Sequence, residues 1–405
     1  MKLFEPVNIG SLCLKNRVVR SAAFEGMADP GGVPGAKYEA HYAGLAEKGM
    51  GLIITGFAYV GLDGKAMQPG QAGIDNDRSI PLFSRVTGSV HKNDCAIFLQ
   101  IAHAGRQTVR AACGGRPVAP SGKRSWYFRC RPSPLTSREI ERIISGFAGA
   151  ARRARDAGFD GVQLHCAHGY LVHQFISPSI NNRKDAYGID RELGIGGYFL
   201  ECVINKIRDA CGNAFPLAVK ISGDSDWRPG LTKTQFVNLI KLLDIAGVDA
   251  IEVSCGTMEQ ALNIFRVPAI PWDTILAYNP RYRVNNKALR GFSKLLAGAV
   301  HVPSLKKFSP AYNLHLARVA KEHTTVPVIS VGGFRTGTQL HDTVESGSAD
   351  LTGLCRPFIC EPDFLLKVKE DPSYKSRCVN CSRCAIMCDS GNATRCYRIR
   401  SSYGA

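Results

Sequence analysis

The chain has no uninterrupted apolar run of eighteen residues, and its opening, MKLFEPVNIGSLCLKNR, lacks a basic start followed by an apolar stretch. These absences exclude an obvious membrane span and a secretory leader, so a soluble, cytoplasmic protein is expected. Acidic residues are also scarce, 34 against 51 basic ones, for a formal charge of +17. Such a balance attracts anions of any kind, nucleic acid included. The charge does not form one stripe, however, and its densest acid-free patch, Gly105 to Arg131, belongs to no recognisable nucleic-acid module. A solvated loop, or one that receives an acidic small molecule, accounts for it better, and no nucleic-acid partner is expected.

Cysteine is abundant instead. Ten of the fifteen are scattered singly, many inside apolar runs, which suits reduced core thiols better than an oxidised scaffold. The other five fall within the last thirty residues, in SRCVNCSRCAIMCDSGNATRCYR (Ser376 to Arg398). At 405 residues and 45% apolar content, the chain can bury a large core.

Eight short β-branched runs recur in order: RVVRSAAF, MGLIITGF, CAIFLQIAH, FDGVQLHCAH, FPLAVKIS, VDAIEVSCG, VPVISVGG and ADLTGLCRP. Several follow an amphipathic segment that ends in a turn residue, as Gly158 ends ISGFAGAARRARDAG. Near-continuously apolar strands alternating with helices imply a parallel sheet under a helical cover. Eight such units favour an α/β (β/α)8 TIM barrel over a doubly wound sheet, and no GxGxxG follows the first strand to support the latter. We expect a barrel over residues 1–365 with a long insertion at about 257–310, and a cysteine-rich tail over 366–405.

In such barrels the loops after the strands make the active face. Gln100 and His103 follow the third run, His165 and His168 end the fourth, Lys220 ends the fifth, and Gly332, Gly333 and Arg356 follow the seventh and eighth. The glycine pair alone could be only a tight turn; together with Arg356 it matches a phosphate cradle. His165 and His168 could donate N–H bonds to one oxygen while Tyr170 supplies a proton. Zinc ligation by the two histidines lacks a third ligand at an obvious spacing, and His173 reads as a core residue.

These residues resemble the Old Yellow Enzyme-like NADH:flavin oxidoreductase family, which includes the barrel portions of 2,4-dienoyl-CoA reductase and trimethylamine dehydrogenase. The likeness runs from LFEPVNIGSLCLKNRVVRSA through LQIAHAGRQ, HCAHGYLVHQFISPSINNRKDAYG and VPVISVGGF to ADLTGLCRPFICEPD. It implies a non-covalent FMN. Ser21, Ala22 and Ala23 would meet the isoalloxazine through backbone, Gly56 would lie beside it, and Gln100 would bond its pyrimidine edge. Lys220 would place a cation near N1 and O2, and Gly332, Gly333, Gly353 and Arg356 would hold the phosphate. The resemblance gives His165 and His168 the substrate oxygen and Tyr170 the proton donation. NAD(P)H would reduce the flavin, which would then pass hydride to the β-carbon of an α,β-unsaturated carbonyl or CoA-linked substrate. Phe24 departs from the pattern, since a small polar residue is common there.

Relatives with an iron–sulfur cluster carry four cysteines after the eighth unit. Here Cys378, Cys381, Cys384 and Cys396 read C-x2-C-x2-C-x11-C, a spacing able to wrap one [4Fe-4S] cluster. Cys388 offers a second solution, with Cys381, Cys384 and Cys396. Zinc, or no metal, are the rival readings for the same thiols. Clustered relatives continue into a dinucleotide-binding portion, whereas only nine residues follow Cys396 here, so a cluster would be expected to exchange electrons with a partner protein or with nicotinamide at the FMN. Two functions stay open: an alkene reductase with a structural tail, possible as a homo-oligomer, and an electron-transfer or dehydrogenase component, for example amine-oxidising. A nucleic-acid-binding flavin barrel of the dihydrouridine synthase kind lacks support, because those barrels use a cysteine acid.

Overall fold

Eight parallel strands close into a ring in the computed structural model, which describes residues 1–224, 230–301 and 305–399, with the side chains of 297–301 left aside. In chain order they are β1 (Val18–Arg20), β2 (Leu52–Ile54), β3 (Ala96–Ala102), β4 (Gly161–Cys166), β5 (Leu217–Ser222), β6 (Ala250–Ser254), β7 (Val328–Val331) and β8 (Leu351–Leu354). Each pairs with the next, and β8 pairs back on β1, Gly353 opposite Val19. All eight apolar runs of the sequence became these strands, because each is buried on both faces and needs no polar alternation.

The last helices before each next strand, and one helix after β8, are α1 (Ala36–Ala46), α2 (Ile80–His91), α3 (Ser137–Asp156), α4 (Tyr198–Cys211), α5 (Lys233–Ile245), α6 (Leu314–Lys321), α7 (Gly337–Glu345) and α8 (Phe364–Glu370). Three of them start at reciprocal capping boxes, Thr136 with Glu139, Thr232 with Gln235 and Thr336 with Gln339. Each box satisfies two helix-end N–H groups that would otherwise lack partners, which fixes where the βα loop must end. The eighth helix runs from Phe364 to Glu370, so residue 365 falls inside it.

The core has two layers. Inside the ring Val19, Leu52, Ile54, Phe98, Ala218, Ala250, Ile329 and Leu351 pack together, and the antiparallel hairpin Val7–Ile9 with Leu12–Leu14 adds Ile9 and Leu14 to the same cluster. Outside it a larger apolar layer joins strands to helices. The ring interior is therefore filled by side chains, as such barrels require.

The insertion after β6 holds the helices Ala261–Phe265, Trp272–Tyr278 and Lys287–His301; residues 302–304 of it lie outside the described residues. Trp272–Tyr278 packs against the tail helix Arg383–Cys388. The tail returns to the barrel at Glu361, a fully buried carboxylate that accepts from Arg377 N at 2.6 Å and from the Tyr374 hydroxyl at 3.0 Å. Tail residues 400–405 lie outside the described residues. Among the described residues no helix is long and apolar enough to cross a membrane.

Candidate functional site

Register places the polar residues of the barrel mouth in one layer. Gln100 on β3 stands opposite Gln163 on β4, and Lys220 on β5 stands opposite both His165 on β4 and Glu252 on β6. The side chains join across the strands: Gln100 Nε2 donates to Gln163 Oε1 at 2.7 Å, Gln163 Nε2 donates to Glu252 Oε2 at 2.7 Å, and Lys220 Nζ reaches Glu252 Oε1 at 3.3 Å. All four are buried, so every polar group in the chain depends on its neighbour for a partner.

A cavity of about 230 Å³ opens above this layer. Ser21, Ala22, Ala23, Gln100, Lys220, Gly332, Gly333, Gly353 and Arg356 line it, together with His165, His168 and Tyr170. Gly56 is set apart: its N–H donates to Glu25 Oε1 at 2.5 Å and to the Tyr42 hydroxyl at 2.9 Å, and it contributes nothing to the wall. Two of the glycines are sterically required. Gly333 holds φ +84°, and a Cβ at Gly353 would stand 2.3 Å from Ser21 Oγ. Ser21 Oγ is itself buried and, among the described residues, finds no hydrogen-bond partner, so it stands as a polar atom on the cavity wall.

The imidazoles stand edge to face, with ring centroids 5.0 Å apart, and His165 is 4.8 Å from the Tyr170 ring. His168 adopts φ +60°, a strained backbone for a histidine, and its Nε2 lies 2.9 Å from Ser254 Oγ. His165 Nδ1 accepts from Ala167 N at 3.3 Å, which leaves the proton on Nε2. Burial first, and the Lys220 ammonium next, hold His165 well below the usual imidazole range; burial, His165 and Lys220 do the same to His168. Both rings are neutral donors at neutral pH. Burial raises the Tyr170 phenol, and nearby Asp389 raises it further, so it stays protonated. His173 is outside this group: it is buried, its Nδ1 accepts from Gly169 N at 2.9 Å, and burial lowers it to about 4. His103, too, leaves the cavity and faces Asp63 at 3.5 Å.

The cavity has walls that the sequence did not announce. The Phe57 ring lies tilted, 5.2 Å from that of Tyr170, and the insertion adds Ala261, Ile264 and Phe265. Tyr127 arrives from the basic loop because Glu259 of the insertion accepts from Trp126 N at 3.0 Å and Tyr127 N at 2.9 Å. The same carboxylate takes Arg106 at 3.3 Å and Gln107 at 3.1 Å, so Arg106 is committed inside the fold and not offered to an anion. Gln68, Cys388 and Asp389 complete this part of the lining. Spacing singled out Cys388 only as a candidate ligand, and no spacing rule could have put Gln68 or Asp389 on this wall, because these residues meet only through tertiary contact.

The tail thiols divide between two cavities. Cys378, Cys381, Cys384 and Cys396 line a second, small one of about 20 Å³ whose walls are mostly apolar. Cys360, a residue that read as a scattered core thiol, joins them with its Sγ 3.9 Å from that of Cys396. Non-glycine residues at positive φ, Asn380 and Ser382, turn the chain between the cysteines. Cys388 faces the larger cavity instead, and its thiol donates to Ala385 O at 2.8 Å. Among the described residues no three His, Cys, Asp or Glu groups converge closely enough for a single ion. Arg356, Ile359 and Cys384 line both cavities, with Arg356 Nη1 donating to Ser382 Oγ at 3.1 Å.

Comparison with known proteins gives a consistent result. Residues 2–300 match the profile of the NADH:flavin oxidoreductase / NADH oxidase family. An NADH oxidase of Thermoanaerobacter brockii is 31% identical over 98% of this chain and 55% of its own length. An N,N-dimethylglycine/sarcosine dehydrogenase of Chromohalobacter salexigens is 30% identical over 94% of this chain and 50% of its own. The chain thus spans about half the length of these two curated relatives. Among solved structures, 2-naphthoyl-CoA reductase in complex with 2-naphthoyl-CoA superposes with a TM-score of 0.79 over 96% of this chain and 56% of that one, at 22% identity, a likeness of fold.

The buried polar chain makes a measurable demand. Glu252→Ala strips Lys220 and Gln163 of their partner and is expected to cost about 3–5 kcal/mol in urea denaturation. Glu252→Gln, which keeps an acceptor, should cost less, and a loss below ~1 kcal/mol for Glu252→Ala would contradict the network's role.

Proposed function

The chain belongs to the NADH:flavin oxidoreductase / NADH oxidase family, and on that premise we propose that it is an FMN-dependent oxidoreductase that reduces the C=C bond of a small α,β-unsaturated carbonyl compound. The observation that carries this reading is the gathering of a phosphate-type cradle, a buried ammonium and two neutral imidazoles with a phenol in a single cavity.

The residues fit FMN. Gly332, Gly333, Gly353 and Arg356 offer a side-chain-free cradle and a cation for a phosphate, Ser21 Oγ and Gln100 offer polar atoms to a heterocycle, and Lys220 offers charge. FMN bound there supplies hydride chemistry, with NADH or NADPH as the source. The chain's own task is to hold and protonate the substrate. His165 Nε2–H donates to the carbonyl oxygen, with His168 beside it, and this draws electron density from the double bond. Tyr170, kept protonated by burial, gives its proton to the α-carbon. Phe57, Tyr127 and the insertion helix Ala261–Phe265 exclude water from the same space.

We assign the tail a [4Fe-4S] cluster held by Cys378, Cys381, Cys384 and Cys396 and treat residues 366–405 as its carrier. In support, these four thiols line one small cavity in the C-x2-C-x2-C-x11-C order, while Cys388 opens onto the other. A second reading follows from the same feature: Cys384 and Arg356 belong to both cavities, so the protein would serve as a dehydrogenase component exchanging electrons with a partner protein.

Two experiments test these assignments. In Tyr170→Phe the reduction of cyclohex-2-en-1-one should slow by about 10²–10⁴ in stopped flow, while flavin reduction by NADPH changes little; equal losses in both half-reactions would refute the donor role. Anaerobically purified protein should show a broad visible shoulder bleached by dithionite, and Cys384→Ser should lose bound iron and sulfide while Cys388→Ser keeps them. Zinc in the wild type, or iron loss in Cys388→Ser, would overturn the ligand assignment.

A further inference from the structure

Among the described residues the cysteine-rich tail contributes one charged side chain to the larger cavity. Asp389 lies on its wall beside Tyr170, Tyr127 and Gln68. Both carboxylate oxygens are engaged, but only by neutral amides: Gln68 Nε2 donates to Oδ1 at 3.0 Å and Asn279 Nδ2 donates to Oδ2 at 3.1 Å. Those bonds join three separate parts of the chain, donors from the β2 loop and the insertion to an acceptor on the tail, and they fix the carboxylate's direction. Among the described residues no lysine, arginine or histidine forms an ion pair with it, whereas the fully buried carboxylates Glu252 and Glu361 each have cationic partners.

Asp389 is only partly buried, so its carboxylate keeps contact with solvent and, held by neutral donors alone, has its charge left over for a cation that enters the cavity. The surroundings suit a cation in a second way. The rings of Phe24, Phe57, Tyr127 and Tyr170 line the same cavity, with Phe57 5.2 Å from Tyr170 and 5.9 Å from Phe24. Aromatic faces attract cations and give nothing to anions. The positive groups of the site, Lys220 and Arg356, are engaged elsewhere, by Glu252 and by Ser382.

We propose that Asp389 is a specificity-determining residue that pairs with a positively charged nitrogen on the substrate, so that the cavity selects cationic compounds over neutral or anionic ones of the same shape. This rests on the reading of the cavity as the substrate site next to the flavin. It deepens that reading by setting a charge for the substrate, and it gives the tail a role in recognition apart from any cluster. The aromatic walls take the alkyl groups around the nitrogen, and Asp389 takes its charge.

The test uses three isosteric probes on the holoenzyme by titration calorimetry at low salt: tetramethylammonium, tert-butanol and pivalate. The wild type is expected to bind tetramethylammonium about 10-fold or more tightly than tert-butanol, and pivalate most weakly. Asp389→Asn should bring tetramethylammonium down to the level of tert-butanol, with thermal melting reporting whether the variant is folded. A wild type that binds tert-butanol or pivalate as tightly as tetramethylammonium overturns the proposal whatever the variant does, and so does a folded Asp389→Asn that keeps the preference. Cyclohex-2-en-1-one reduction, measured separately in the wild type and in Asp389→Asn, keeps the two ideas apart: its absence from both with the cation preference of the wild type intact sinks the alkene-reductase reading and spares the role of Asp389.

Discussion

Everything at the mouth of this barrel depends on how one buried ammonium is held. Lys220 lies within the strand layer, where an unpaired charge would be intolerable, and Glu252 on the next strand meets it at 3.3 Å. Glu252 is itself anchored through Gln163 to Gln100, so four strands share one line of hydrogen bonds. The consequences are electrostatic. A fixed positive charge beside His165 and His168 adds to burial in keeping both imidazoles neutral, which makes them donors to an oxygen and poor partners for an anion. The same charge under a flavin would favour its anionic reduced form.

Above that layer the insertion and the tail act as one assembly. Glu259 pulls the basic loop inward until Tyr127 reaches the cavity, Asn279 ties the insertion to Asp389 of the tail, and Trp272–Tyr278 packs on Arg383–Cys388. Glu361 then fastens the tail to the end of the barrel. The cavity is thus closed by segments far apart in sequence, with the insertion and the tail adding their walls to those of the barrel mouth. Loop walls over a rigid ring allow one scaffold to change substrate without disturbing the groups that do chemistry.

Much of this was legible beforehand. The eight strands declared themselves because buried parallel strands are continuous apolar runs, and the glycines and histidines because they follow those runs directly. Spacing along the chain carried less elsewhere. Gly56 follows its strand as the others do, yet its N–H is consumed by Glu25, a carboxyl that burial pushes up to about 7. Cys360 looked like one more core thiol, although the turn after β8 brings it to Cys396. Asp389 sits between cysteines with no local pattern to mark it, and only the amides of Gln68 and Asn279 show where its charge points. Periodicity reports which face of an element is buried; it does not report which distant loop will meet that face.

The claim that Lys220 supplies the charge beneath the flavin is tested most directly by the midpoint potential of bound FMN in Lys220→Met beside the wild type. Removing a cation that favours the anionic reduced flavin should move the potential in the negative direction, by on the order of tens of millivolts. A flavin bound with normal stoichiometry at an unchanged potential would contradict the placement of that charge.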